Sequence, residues 1–212
     1  MIIIGKIIFG SILAYFLGAI PTAYIAGKLY KGIDIREHGS KNVGATNVFR
    51  VLGKVPGIIV LILDILKGTL AVVLIPFLLG LDQIVMAYVI FGFAAVCGHN
   101  WTIFLRFKGG KGVATSLGVF VGLMIKIASL RIVVLSCVVV WLGVFVAFGY
   151  VSLASIISVV FLPLLMILFA QPTELIVLGV VFCLLVVLRH RPNIQRLLEH
   201  RESRFNFPFR KR

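Results

Sequence analysis

Residues 132–148, IVVLSCVVVWLGVFVAF, form an unbroken run of apolar and small side chains with no charge among them. In hydrocarbon every backbone N–H and C=O must be satisfied internally, which leaves helices or a closed barrel. A barrel strand would alternate apolar and polar residues with period two, and this run does not alternate. The chain is therefore expected to be all-α, a polytopic bundle of membrane helices. Composition agrees, since 61% of the 212 residues are hydrophobic and 13% are charged. Soluble domains carry about 45–50% and about 25%.

A transmembrane helix needs about 20 apolar residues. Seven apolar segments emerge, at about 4–27, 56–79, 84–104, 112–127, 132–149, 151–170 and 174–189. The fourth is short, so a re-entrant passage is an alternative for it. The first begins MIII with Lys6 as its only early charge. It is also too long for a signal h-region, and is expected to be a retained span. Gly118 and Gly122 form a G-x-x-x-G on the fourth segment, a pattern that favours close helix packing. The whole of 1–212 is expected to be one domain. Cys97, Cys137 and Cys183 all lie in hydrophobic runs. Small apolar packing suits them, and neither a disulfide framework nor a metal spacing can be built from them.

Basic residues number 21 against 7 acidic ones, and most fall in three stretches. The first holds Lys28, Lys31, Arg36, Lys41, Arg50 and Lys54; the second holds Arg106, Lys108 and Lys111. The third holds Arg189, Arg191, Arg196, Arg201, Arg204, Arg210, Lys211 and Arg212. If every segment crosses, the three share one face. The positive-inside rule makes that face cytoplasmic, with the N-terminus outside and the C-terminus inside. Lys126 and Arg131 oppose this assignment. Topology and anionic headgroups account for the basic balance, so no nucleic-acid partner is expected.

The same three stretches contain the chain's polar islands, HGSKNVGATNVFR (38–50), RFKGGKGVAT (106–115) and RHRPNIQRL (189–197). A topology signal needs only lysines; it does not need glycines and amides. In the first island, Gly39 and Gly44 permit turns that point successive amides at an anion. Ser40, Asn42, Thr46 and Asn47 add neutral hydrogen-bonding groups, and Arg50 adds a planar fork suited to phosphate. A capped helix start, with Thr46 or Asn47 as N-cap, is the plainer alternative. In the second island, Lys108 and Lys111 bracket Gly109 and Gly110, and the chain then enters a hydrophobic segment through Val113, Ala114 and Thr115. A glycine-rich turn at a helix N-terminus is a natural anion site; a flexible basic turn is the alternative. The Walker A spacing fails, so no nucleoside triphosphatase is implied. In the third, His190 and Asn193 share a helical face if the last span continues past Pro192. Pro192 opening a new short helix is equally natural, and for His190 anion contact and headgroup anchoring are the two alternatives. On the second span Asp64 and Lys67 stand at i, i+3, a costly depth for charge and a spacing that allows pairing.

The three islands GSKNVGATNVFR (39–50), FKGGKGVAT (107–115) and HRPNIQRLLEHRE (190–202) resemble, in this order, the signatures of the bacterial acyl-phosphate:glycerol-3-phosphate acyltransferase family. Those signatures read approximately GSGNxGATNxxR, FKGGKGVAT and HRxNIxRLxxGxE. The likeness runs through the whole chain and includes DILKG (64–68) and GHNW (98–101). Lys41 and His200 depart from it, each standing where the family has glycine. The resemblance implies transfer of a fatty acyl group from acyl phosphate to the 1-hydroxyl of sn-glycerol 3-phosphate in the bacterial inner membrane, with no cofactor or metal. Its partners would be those two substrates and membrane lipids. Carried over by position, His190, Asn193 and Lys111 are expected to be catalytic. Gly39, Ser40, Asn42, Gly44, Thr46, Asn47, Arg50, Lys108, Gly109, Gly110, Gly112 and Thr115 are expected to bind substrate. Among them Ser40, Arg50 and Lys111 would hold the phosphate of glycerol 3-phosphate. The competing reading is a transporter or flippase for phosphorylated metabolites or lipids. It would favour inverted repeats and midplane polar groups, which the sequence lacks.

Overall fold

The computed structural model describes residues 1–205. Arg210, Lys211 and Arg212, counted above in the third basic stretch, lie outside the described residues. Every regular element is helical: α1 (Ile2–Ala19), α2 (Thr22–Lys31), α3 (Ala45–Val51), α4 (Lys54–Leu79), α5 (Val85–Asn100), α6 (Val113–Lys126), α7 (Leu130–Phe148), α8 (Val151–Leu168), α9 (Thr173–Arg189) and α10 (Arg191–Leu198). Short 3-10 turns sit at Ile35–Glu37 and Ile103–Leu105.

Five stretches among the described residues are long and apolar enough to cross a membrane: Ile2–Lys31, Lys54–Leu79, Val85–Leu105, Leu130–Phe148 and Val151–Leu168. A sixth is added if α9 and α10, bent by 58°, count as one span. The expected fourth span is α6, a helix of 14 residues, about 21 Å at 1.5 Å per residue. A hydrocarbon core is about 30 Å thick, so length alone does not make α6 a crossing. The expected first span is also interrupted. α1 ends at Ala19 and α2 begins at Thr22, because Pro21 has no N–H to continue the ladder.

The helices divide into two compact units, Met1–Ile127 and the chain from Ala128 onward. In the first unit α4 packs on α6 and α1 packs on α5, in both cases through glycines. A Cβ added at Gly118 would collide with the Ile65 carbonyl oxygen, and one at Gly122 would lie 3.1 Å from that of Thr69. The Thr69 hydroxyl donates to the Gly118 carbonyl at 2.9 Å. The G-x-x-x-G is thus a packing face, as expected from small residues between membrane helices. Lys6 spends its charge on the last turn of α4, donating Nζ to the Leu79 carbonyl at 2.7 Å.

A small core of Ala23, Ala26, Ile35, Val43, Val48, Val60 and Leu105 gathers beside α2, α3 and α4. It contains Val43 of the first island and Leu105, next to the second. Burial of these side chains is what fixes both islands on the helices, at roughly 1.5–3 kcal/mol per large aliphatic group.

In the second unit α8 packs between α7 and α9. Trp141 donates to Ser155 Oγ at 3.2 Å, and Ser158 donates to the Cys137 carbonyl at 2.8 Å. All three cysteines are free thiols.

Candidate functional site

The first island is built around one buried amide. Asn47 Oδ1 accepts the Ser40 N–H at 2.8 Å, and its Nδ2 donates to the carbonyls of Ile35 and His38 at 3.1 and 3.0 Å. The side chain thereby closes the loop onto the start of α3. Gly39 has φ +59, and a Cβ there would collide with Asn47 Oδ1. The helix start differs from the capped one considered above. Gly44, in extended backbone, is the N-cap of α3, and no side chain caps it. Ser40 and Arg50 are exposed, while Asn42 and Thr46 are half-buried. Upstream, Asp34 caps the Ile35–Glu37 turn and takes the Arg36 fork at 2.6–3.1 Å. Those hydrogen bonds from Arg36 hold its carboxyl down at about 2.

Lys41 adopts φ +60 and His200 φ +55. These are the two positions where the chain carries a side chain and the resembled family has glycine. Left-handed backbone costs an L-residue roughly 1–2 kcal/mol, and glycine adopts it freely. Glycine loses more entropy on folding, by roughly 0.5–1 kcal/mol. Lys41→Gly and His200→Gly are therefore each expected to be neutral or to raise the unfolding temperature by a few degrees. Thermal unfolding in detergent measures this, and a drop in either variant would show that its side chain makes a compensating contact.

The second island is pressed onto the end of α5. Gly109 N–H donates to the Asn100 carbonyl at 3.2 Å, and Gly110 N–H to that of His99 at 3.0 Å. Those two amides are thus spent on the protein, and the anion nest expected of a glycine turn cannot include them. A Cβ at Gly109 would collide with the His99 carbonyl oxygen. One at Gly110 would collide with His99 Nε2 and lie 2.7 Å from the Val43 carbonyl oxygen. Close approach explains both glycines, and the second brings the first two islands into contact. Gly112, with φ +81, is the left-handed N-cap of α6. Lys111 is half-buried. Lys108 lines an open groove of about 440 Å³ together with Tyr24, Arg36, Phe104, Leu105 and Arg106. Thr115 and Ser116 are buried on α6, and neither hydroxyl finds a partner among the described residues.

Behind the glycines lies a charged cluster. Asp64 Oδ1 accepts from Lys67 Nζ at 2.8 Å and from Thr22 Oγ1 at 2.7 Å, and it stands 3.6 Å from His99 Nδ1. Lys67 also donates to the Ile20 carbonyl at 3.0 Å. The i, i+3 pair was legible from spacing; Thr22 and His99 come from other helices, and spacing could not link them.

The second unit carries the third island. α9 stops at Arg189, and Pro192 is the second residue of α10. A new short helix therefore begins at Arg191, and the last span does not continue straight through. His190 is buried and its Nδ1 lies 2.8 Å from the Val186 carbonyl oxygen. A carbonyl only accepts, so Nδ1 carries the hydrogen, and in the neutral ring Nε2 is the basic nitrogen. Asn193 Nδ2 donates to Glu202 Oε1 at 2.7 Å. Ser152 donates to the same oxygen at 2.8 Å, and Arg196 Nε to Oε2 at 2.7 Å. Burial pushes the Glu202 carboxyl up, but hydrogen bonds from Arg196, Asn193 and Ser152 prevail and hold it below its ordinary 4.5. A depressed carboxyl stabilises the fold above its unfolded value, and that contribution disappears as pH falls through the folded one. The stability gap between the parent and Glu202→Gln is expected to be full at pH 6 and to narrow below about 4.5. Parallel unfolding curves at each pH test this, and a constant gap would contradict it.

Apolar helices this long, with basic glycine-broken loops at their ends, define a multi-pass helical membrane protein. Residues 8–200 match the family model described as "Glycerol-3-phosphate acyltransferase", and the chain belongs to that family. It is 44% identical over 192 residues to glycerol-3-phosphate acyltransferase 2 of Lactobacillus johnsonii, covering 91% of this chain and 84% of that one. It is 42% identical over 200 residues to the glycerol-3-phosphate acyltransferase of Aquifex aeolicus, covering 94% and 100%. Among solved structures it resembles the crystal structure of PlsY (YgiH), an integral membrane glycerol 3-phosphate acyltransferase, in its glycerol 3-phosphate form. The TM-score is 0.84 at 42% identity, with 94% of this chain and 96% of the other covered. The lysophosphatidic acid form of the same protein gives 0.81 at 42% identity, covering 94% and 95%.

Proposed function

We propose that the protein is an acyl-phosphate:glycerol-3-phosphate acyltransferase of the bacterial cytoplasmic membrane. It transfers a fatty acyl group to the 1-hydroxyl of sn-glycerol 3-phosphate, giving 1-acylglycerol 3-phosphate and phosphate for phospholipid synthesis. The hydroxyl oxygen attacks the acyl carbonyl carbon, the bond from that carbon to the phosphate oxygen breaks, and the hydroxyl proton leaves on the departing phosphate. Acyl phosphate is a mixed anhydride with a good leaving group, so positioning and positive charge can supply most of the catalysis. The observation that carries the reading is the contact of Gly110 with the Val43 carbonyl. It joins the loop of Ser40 and Arg50 to the loop of Lys111. The glycerol 3-phosphate and lysophosphatidic acid forms of the related crystal structure support the same substrate and product.

In this reading Ser40, Arg50 and Lys111 hold the phosphate of glycerol 3-phosphate. His190 and Asn193 act at the reacting end, and His190 Nε2 is the alternative base to the substrate's own phosphate. Gly39, Asn42, Gly44, Thr46, Asn47 and the glycines of the second island shape the binding loops. Ser40→Ala and Arg50→Ala are expected to raise KM for glycerol 3-phosphate, by about tenfold or more for the charged residue, with KM for acyl phosphate little changed. Initial-rate kinetics test this, and an unchanged KM in both variants would remove them from that role.

The whole chain acts as one acyltransferase unit. Its topology has seven crossings, with α6 completing the count, the N-terminus outside, and the active site and C-terminus in the cytoplasm. The clustering of basic residues supports this orientation. Single cysteines at Lys41 and Lys108, labelled from one side of sealed vesicles, decide it; opposite accessibility would refute it.

A further inference from the structure

We propose that Asp64, Lys67 and His99 position the glycine loop of the second island, so that the buried charge cluster of the bundle is part of the apparatus for binding glycerol 3-phosphate. This rests on the function proposed above. Charges buried this deep, with Asp64 only 1% exposed and Lys67 4%, are no bargain for stability. A buried ion pair often gives way to packed apolar residues without loss. Something other than stability should therefore account for it, and its connections point to the loop. Asp64 Oδ1 gathers Thr22, Lys67 and His99, and Lys67 reaches on to the Ile20 carbonyl. The cluster thus ties the α1–α2 break, α4 and the end of α5 to one oxygen.

His99 is the member that meets the loop. Its carbonyl accepts the Gly110 N–H at 3.0 Å, and its Nε2 edge stands where a Cβ of Gly110 would be. The same small cavity is lined by Thr22, Lys67, Val43, His99, Gly109 and Gly110. Asp64 Oδ1 faces Nδ1 at 3.6 Å, and the Nε2 edge of the ring is the floor on which Gly110 rests. The next residue is Lys111. A ring that turned would shift Gly110 against the Val43 carbonyl and misaim the lysine. These are positioning residues; none is assigned contact with substrate.

The test uses the purified full-length protein and two variants. Asp64→Leu/Lys67→Met replaces the pair with apolar residues of similar volume. His99→Leu removes the ring and leaves the Asp64–Lys67 pair. Each is expected to raise KM for glycerol 3-phosphate about tenfold or more, with KM for acyl phosphate unchanged. Amide hydrogen exchange across 107–112 should quicken in both, and the double variant should keep an unfolding temperature close to the parent's. Parent-like KM and exchange in His99→Leu would overturn the proposal, even if the double variant does not fold. A KM rise for both substrates in proportion to lost thermal stability would also overturn it, as a structural role only. If the parent protein transfers no acyl group, the functional reading fails while the exchange measurement still decides this one.

Discussion

Gly110→Ala is expected to lose about a hundredfold or more in kcat/KM for glycerol 3-phosphate. The added methyl must displace His99 Nε2 on one side and the Val43 carbonyl, 2.7 Å away, on another. His99 is buried with Asp64 Oδ1 3.6 Å from its Nδ1, and Val43 is backbone anchored in the core with Val48 and Leu105. Neither is the loose end of a flexible chain, so the loop itself must move. Displacement of about 1 Å in a positioning element can cost a hundredfold in rate. Gly143→Ala supplies the control. That glycine lies inside α7, with nothing within 4 Å of an added Cβ, and alanine is favoured there by roughly 1 kcal/mol. Steady-state kinetics on both variants check the contrast. Comparable losses, or none in Gly110→Ala, would show that the loop tolerates movement there.

Asn47→Asp, which changes one atom, is expected to be at least as damaging as Asn47→Ala. Asn47 is fully buried and serves three backbone groups. Alanine leaves the Ser40 N–H and two carbonyls without that partner, at about 1–3 kcal/mol for each one left buried and unsatisfied. Aspartate can still accept from Ser40, but it turns an oxygen toward the Ile35 and His38 carbonyls where Nδ2 had donated. Acceptor would face acceptor, and a charge would be buried beside them. Both variants should weaken glycerol 3-phosphate binding by loosening Ser40 and its loop, and both should unfold at lower temperature. An aspartate variant with parent-like KM and stability would mean that the Asn47 amide is not the keystone of this loop.

These variants bear on how much of the site could be read in the sequence. Five of the seven expected spans, or six with α9 and α10 taken as one, were legible because hydropathy over some twenty residues is a local property. The 14-residue α6 is too short for that signal to decide. The break between α1 and α2 was harder to see, since Pro21 sits in a run apolar enough to hide it. The islands were legible by composition, but the purpose of single residues in them was not. Asn47 reads as a ligand and is found binding its own loop. Gly109 and Gly110 read as an anion nest, yet their amides are turned to α5. Such roles depend on contacts distant in sequence. The departures at Lys41 and His200 could be noted against the resembled family; only the backbone shows that both fall at positive φ. Asp64 and Lys67 announced themselves as a pair, whereas His99 joined them only through the packing of α5 on α4.

Phosphate release from palmitoyl phosphate, followed with the purified protein in detergent, decides whether the chain is an acyl-phosphate-dependent acyltransferase. Release should depend on glycerol 3-phosphate and match the 1-acylglycerol 3-phosphate formed. Lys111→Ala should abolish most of it. Release no greater than that of Lys111→Ala, or equal without glycerol 3-phosphate, would contradict the account.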